Sequence, residues 1–173
     1  MMEAFNVTKS KILENAKMWE MKNEMLVREL NFTPDFQRKA WKAITRYCDI
    51  VKRVEVVQEK MDVAVAKERD TTELLKERST RIAEFVEAKN LMNCFLSDQE
   101  MERLINLNTV KQFLYDISQI KEDAEVFIEK NDDEMLIFLP IEYGAYRIDE
   151  DYIEPRSIKI RSFDDPYEYA IDF

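Results

Sequence analysis

The chain has 173 residues, a formal net charge of −10 and no histidine. The absence of histidine excludes the commonest general base, the Ser–His and Cys–His nucleophile pairs, and every zinc site that contains histidine. Gly144 is the only glycine, so no glycine-rich loop can cradle a phosphate or a dinucleotide. We therefore expect no catalytic residue, no metal site and no cofactor, and a protein that is not an enzyme.

Cysteine usage and hydropathy indicate the compartment. Cys48 and Cys94 lie far apart in apolar helical stretches, which favours buried free thiols in a reducing environment. Residues 1–6 lack the basic and apolar regions of a secretory signal. The longest apolar run, about Met135 to Ile141, is far shorter than the ~20 residues that span a bilayer. We expect a cytoplasmic protein that does not bind a membrane.

Helices dominate the first two thirds of the chain. Apolar residues at helical spacing predict a first helix from about Thr8 to Leu30. Thr33 before Pro34 is a typical helix start and predicts a second helix from Pro34 to Arg69. A third helix is predicted from Thr71 to Phe95. The apolar stripe fades around Asp70, which favours an antiparallel hairpin of the second and third helices. The alternative is one uninterrupted helix of about sixty residues.

Two further helices and a sheet complete the prediction. Ser97 is the expected cap of a short helix, and Thr109 that of another helix whose apolar stripe runs from Val110 to Ile128. Beyond Asn131 the pattern changes to strands. They are expected at Met135–Ile141, Tyr143–Ile148, Ile158–Arg161 and Tyr167–Phe173.

These elements define an α+β fold. It is predominantly an α-helical bundle with a long antiparallel helical hairpin, followed by a small C-terminal antiparallel β-sheet. Residues 1–131 are predicted to form the helical bundle. Residues 132–173 are predicted to form an acidic, β-rich region packed on the helices.

Carboxylate pairs on the hairpin raise the question of a magnesium-dependent hydrolase. The α-helical nucleotide pyrophosphatases hold Mg²⁺ with such pairs, and an antiparallel hairpin would bring Glu59 and Asp62 to a height similar to that of Glu84 and Glu87. The order of the motifs is the reverse of that family's. The helical phase also directs Glu59 and Glu84 away from the apolar stripe. Solvent-exposed carboxylates are therefore favoured, and the hydrolase is the third hypothesis.

The second helix carries a cluster of basic residues, namely Arg38, Lys39, Lys42, Arg46 and Arg53. Cations interleaved with aromatic residues can neutralise phosphates and stack on bases. Nucleic-acid binding through residues 36–53 is therefore the alternative function. The net charge of −10 opposes it, and these cations could instead pair with acids of the same molecule.

The C-terminal residues mix acids with aromatic side chains. In general form they resemble the acidic, Phe-ended tips of single-stranded-DNA-binding proteins, which dock into basic pockets on partners. The candidate partner-binding residues are Asp164, Asp165, Glu168, Asp172 and Phe173. Regular alternation over Tyr167–Phe173 also fits an ordinary last strand.

Together these features favour a non-catalytic protein-binding regulator, inhibitor or assembly factor. Its acidic end is expected to engage a basic surface of another protein, which would be a nucleic-acid-binding protein if that end mimics phosphates. Such a composition suits a small accessory protein of a virus or mobile element. Self-association into a homo-oligomer stays open.

Overall fold

A computed structural model of the chain describes residues 2–132, 134–140, 144–149 and 152–156. The elements run in the order β1 (Glu3–Thr8), α1 (Lys9–Arg28), α2 (Pro34–Ala66), α3 (Thr72–Asn93), α4 (Asp98–Gln119), β2 (Glu125–Lys130), β3 (Met135–Phe138), β4 (Ala145–Asp149) and β5 (Tyr152–Arg156). The predicted α+β class, mainly helical, is confirmed.

The long helical hairpin is also confirmed. Helix α2 begins where predicted, with the Thr33 side chain accepting a hydrogen bond of 3.2 Å from the Phe36 amide and Pro34 in the first turn. It ends at Ala66, and Glu68 takes a positive φ of 55° in the turn that follows. The Asp70 carboxylate then accepts hydrogen bonds from the amide and hydroxyl of Thr72, at 3.1 and 2.7 Å. One continuous helix is therefore ruled out.

Two predicted helices between Ser97 and Ile128 are wrong. A single helix, α4, occupies Asp98–Gln119, and Thr109 is a buried residue inside it instead of a cap. Ser97 is the true cap: its hydroxyl accepts from the Glu100 amide, and the Glu100 carboxylate accepts from the Ser97 amide. The end of the apolar stripe belongs to strand β2, where Val126 and Ile128 alternate with more exposed residues. A short apolar run fits helical and strand periodicity equally, and this explains the error.

Among the described residues, the sheet has five antiparallel strands in the order β1-β2-β3-β4-β5. Strand β1 was not predicted, and it makes the sheet more than a C-terminal element because it pairs from Glu3 opposite Lys130 to Thr8 opposite Glu125. Its pattern is weak because all of its residues except Val7 are exposed. Strand β5, the last strand in the described order, contains Pro155. The strands predicted at 158–161 and 167–173 lie outside the described residues.

By contacts the chain divides into two compact units. Residues Met1–Glu29 and Asn106–Phe173 form one, called here the sheet unit, and Leu30–Ile105 form the other, called the hairpin unit. The predicted division into residues 1–131 and 132–173 has a different boundary. The hairpin unit is thus inserted in the sequence between the two parts of the sheet unit.

The core of the sheet unit lies between the sheet and two helices. Ile12 and Ala16 of α1 and Phe113 and Ile117 of α4 pack with the inner face of the sheet. The Phe113 ring lies 4.6 Å from that of Tyr146, centroid to centroid. The inner face of the described sheet thus packs on these two helices.

Two buried polar groups fix α4 within this core. The Lys9 ammonium donates to the carbonyls of Ile120 at 2.8 Å and Ser118 at 3.4 Å, where it satisfies the end of the helix. The Asp116 carboxylate accepts hydrogen bonds from the Tyr146 hydroxyl and from the Gln112 amide. Burial, and then the Asp116 charge, raise the pKa of Tyr146, so the phenol stays a neutral donor.

The cysteines correct one expectation. Cys48 is half-buried and Cys94 is exposed, and neither forms a disulfide. The sequence predicts that Cys94 is buried, but its side of α3 faces solvent.

Candidate functional site on the helical hairpin

The hairpin is a two-stranded antiparallel coiled coil. Seam residues recur at alternating spacings of three and four, which is the spacing of a heptad repeat. In α2 they are Ala40, Ala43, Tyr47, Ile50, Val54, Val57, Met61 and Ala64, and in α3 they are Leu74, Arg78, Arg81, Phe85, Ala88, Met92 and Phe95; all are buried or half-buried.

Aromatic contacts set the register of the two helices. The rings of Phe36 and Phe95 lie 5.9 Å apart, and those of Tyr47 and Phe85 lie 5.5 Å apart. The eleven residues from Phe36 to Tyr47 in α2 therefore cover the same distance along the hairpin as the ten residues from Phe85 to Phe95. This register gives the height of every residue on the hairpin.

One edge of the hairpin is charged. Exposed cations follow one another every seven residues along α2 and its C-cap: Lys39, Arg46, Arg53, Lys60 and Lys67. Seven residues are two helical turns, about 10.5 Å. Asp70, Glu77 and Glu84 repeat at the same interval beside the α3 seam, and the register brings Arg53 level with Glu77 and Arg46 level with Glu84. Edge charges of opposite sign are typical of paired coiled-coil helices.

The predicted nucleic-acid patch lies on and beside this charged edge. Arg38 forms an ion pair with Asp35, Arg53 pairs with Asp49 at 2.9 Å, and the Lys39 ammonium lies 4.9 Å above the Phe95 ring. Three of the five cations in the patch therefore already interact with other residues of the hairpin unit. The remaining two patch residues, Lys42 and Arg46, are exposed, and they make no ion pair with any residue in the described part of the chain.

The charge count of the unit agrees with these contacts. Leu30–Ile105 contains 14 Lys and Arg and 14 Asp and Glu, so it is formally neutral. The other 12 basic and 22 acidic residues, and with them the whole net charge of −10, belong to the sheet unit. The basic cluster is a local feature of one edge and not the mark of a basic domain.

A groove of about 280 Å³ opens on the charged edge. Its lining comprises Asp49, Lys52, Arg53, Val56, Val57, Glu77 and Arg81. The Arg81 guanidinium donates to both Glu84 carboxylate oxygens, at 3.2 and 3.4 Å. The groove contains no hydroxyl or thiol nucleophile, and its Asp49 carboxylate is paired with Arg53. Its chemistry is that of ion pairing.

The opposite edge of the hairpin is mostly apolar, with Gln58 and Lys89 as its polar residues. We call apolar edge the residues Val51 and Val65 of α2 with Leu75, Ile82 and Val86 of α3. Val65, Leu75 and Val86 are 65%, 48% and 47% exposed, and the other two are half-buried. A two-stranded coiled coil needs only its seam to be apolar, whereas a wider stripe is the mark of a helix that packs in a larger bundle.

The carboxylates considered for magnesium do not come together. The ring register puts Glu59 about eleven residues, or roughly 16 Å, from the height of Glu84 along the hairpin. The similar heights expected from the sequence are therefore wrong. Beyond the level of the Tyr47 and Phe85 rings, α2 continues for nineteen residues to Ala66, whereas α3 has thirteen residues between Thr72 and Phe85. The Asp62 carboxylate accepts from the Gln58 amide. Across the described ranges, no group of three potential metal ligands is found.

The predicted partner-binding residues Asp164, Asp165, Glu168, Asp172 and Phe173 lie outside the described residues, and they stay a prediction. Comparisons with protein-family models, curated proteins and solved structures found no match. No helix in the described part of the chain has the length and apolar character needed to cross a bilayer.

The sequence interpretation missed the division of the hairpin into two edges. The signal was present as a heptad pattern, with cations at every seventh residue from Lys39 and aliphatic side chains at Val51 and Val65. When the apolar residues of α2 are treated as one stripe, the residues of the seam cannot be distinguished from those of the apolar edge.

Proposed function

We propose that this protein is a non-catalytic binding protein, a regulator or assembly factor, that receives a helix of a partner protein along the apolar edge of its hairpin. The apolar edge carries the proposal. Val65, Leu75 and Val86 stay about half exposed on a side of the hairpin where the seam does not need them. A third amphipathic helix laid beside them would complete a three-helix bundle.

The charged edge is suited to stabilising the hairpin, which leaves the apolar edge for a partner. Its cations and acids match one another across the two helices, which stabilises the hairpin in one register. A partner helix on that side would have to displace or desolvate these charges, at a cost in free energy. The apolar edge carries no such cost, so binding there is favoured.

Nucleic-acid binding is the weaker candidate. Three of the five patch cations, Arg38, Lys39 and Arg53, already contact groups of the hairpin unit, and the unit is formally neutral. Each phosphate contact would therefore compete with an existing contact.

The test is affinity capture from a native lysate, with and without nuclease, using two matched double variants. Leu75→Ser with Val86→Ser changes the apolar edge, and Arg46→Gln with Arg53→Gln changes the charged edge. Burying the exposed half of two aliphatic side chains is worth about 2 kcal/mol, so the apolar variant should bind its partner roughly 30-fold more weakly. The charged variant should keep a nuclease-resistant partner.

The opposite pattern would overturn the proposal. If the captured material disappears after nuclease treatment and in the charged variant, while the apolar variant behaves as the parent, nucleic-acid binding is correct instead. Purified components should then be titrated at several salt concentrations, because phosphate contacts make the binding constant fall steeply with salt.

A further inference from the structure

The outward face of α1 carries three exposed methionines. Met18, Met21 and Met25 are 66%, 64% and 59% exposed, and at about 100° per residue they lie within roughly 60° of one another. The opposite side of the helix carries Ile12 and Ala16 of the core. The three side chains, called here the methionine face, are thus a continuous apolar strip directed away from the sheet.

Basic residues surround this strip. The exposed charged residues on the outward half of α1 and at its C-cap are Lys11, Lys17, Lys22 and Arg28, with the carboxylates Glu14 and Glu29. The face is therefore positive overall, within a unit that carries the whole net charge of −10. An occupant with acidic and large apolar side chains would match both properties.

We propose that residues 162–173 of the same chain dock on the methionine face of α1. Their acids are Asp164, Asp165, Glu168 and Asp172, without a single basic residue, and their large apolar side chains are Phe163, Tyr167, Tyr169, Ile171 and Phe173. Carboxylates would pair with the cations around the strip. Aromatic rings would contact methionine sulfurs, which is a favourable interaction.

The length of the chain permits this contact. Strand β5 ends at Arg156, and the seventeen residues that follow can span up to about 56 Å when extended. Between β5 and β1 lie four strand spacings, about 19 Å, and α1 with its 20 residues is about 30 Å long. Residues 157–166 alone can span about 33 Å, so the end of the segment, from Tyr167 to Phe173, reaches the methionine face of α1, which follows β1 directly.

Docking of this segment would regulate the protein through competition. A basic partner surface would have to remove the acidic residues from α1 before binding them, and it would thereby expose the methionine face. Methionine-rich surfaces adapt to several partners because the side chain is unbranched and polarisable. This inference concerns the sheet unit and is independent of the proposed role of the hairpin.

The experiment records methionine methyl NMR spectra of the full-length chain. In the tail variant, Asp164, Asp165 and Asp172 are changed to Asn and Glu168 to Gln. We expect the methyl signals of Met18, Met21 and Met25, assigned by single Met→Leu substitutions, to shift in this variant. The signal of Met92, which is 2% exposed in the hairpin, should stay in place. The control variant, Asp62→Asn with Glu68→Gln, Glu73→Gln and Glu87→Gln, makes the same change in net charge and should leave all four signals unchanged.

A spin label identifies the occupant. Ile171→Cys is labelled in a chain in which Cys48 and Cys94 are replaced by Ser. Broadening of the three methionine signals within the labelled molecule supports the proposal. Broadening that appears only when labelled chains are mixed with methyl-labelled ones assigns the face to a second copy and overturns it. Absence of broadening, or a tail variant whose methionine signals do not move, overturns it as well.

Discussion

Replacing Lys9 with Met should destabilise the sheet unit by about 2–4 kcal/mol. Lys9 is only 6% exposed, and its ammonium donates to two carbonyls at the end of α4. Methionine keeps most of the side-chain volume, so no large cavity forms and the loss is mainly polar. Two carbonyls left without their donor cost about 1–3 kcal/mol, and the lost charge at a helix C-terminus adds roughly 0.3–2 kcal/mol.

Glu122 supplies the matched control. Its carboxylate forms an ion pair of 3.5 Å with Lys9, but its side chain is 97% exposed. Exposed ion pairs contribute little, so Glu122→Gln should change the free energy of unfolding by less than about 1 kcal/mol.

Urea unfolding followed by circular dichroism measures both variants. For a chain of this size, 1 kcal/mol corresponds to about 2–4 °C in Tm, so thermal unfolding should separate them by several degrees. If Lys9→Met were no less stable than Glu122→Gln, the Lys9 ammonium would not be satisfying the α4 carbonyls, and the account of this helix end would be wrong.

Three further predictions concern other parts of the molecule. Folding raises the pKa of Tyr146, so the stability that this phenol contributes is complete below pH ~10 and is lost as the pH rises further. Tyr146→Phe should weaken this alkaline loss of stability, and it should cost about 1–3 kcal/mol at neutral pH because Asp116 loses a hydrogen-bond donor. Unfolding curves at several pH values measure both effects. Arg78 lies in the α3 seam with its Nε buried and without a hydrogen-bond partner among the described residues, so Arg78→Leu should stabilise the hairpin by about 1 kcal/mol in urea unfolding; a loss of stability would contradict this. Arg46→Gln with Arg53→Gln should leave oligonucleotide binding in a filter or anisotropy assay as weak as in the parent, and a flatter salt dependence of tight binding would refute that expectation.

The sequence predicted the elements that local chemistry determines. Thr33 and Pro34 marked the start of α2 and Ser97 that of α4, because a cap depends on a few adjacent residues. The turn near Asp70 could be located from the fading stripe. The hairpin therefore follows from local signals alone.

Other features depended on contacts distant in sequence. Strand β1 has almost no buried side chain, and its partner β2 begins at Glu125. The residues around Glu3 therefore show no alternation of apolar and polar side chains that would predict a strand. Thr109 looks like a cap but is buried inside α4, where tertiary packing overrides its local preference. The methionine face was likewise invisible in the sequence, because exposure is a property of the packed helix.

The pairing of β1 with β2 has a consequence for how the chain folds. Thr8 lies opposite Glu125, so closing this ladder joins segments separated by nearly 120 residues, a contact of the kind that slows folding. At ribosomal rates of about 5–20 residues per second, β1 waits roughly 6–25 s for its partner to be synthesised. The inserted hairpin, built from sequence-local contacts, can form during this interval. Once formed, it shortens the effective loop and brings the two parts of the sheet unit within reach of each other.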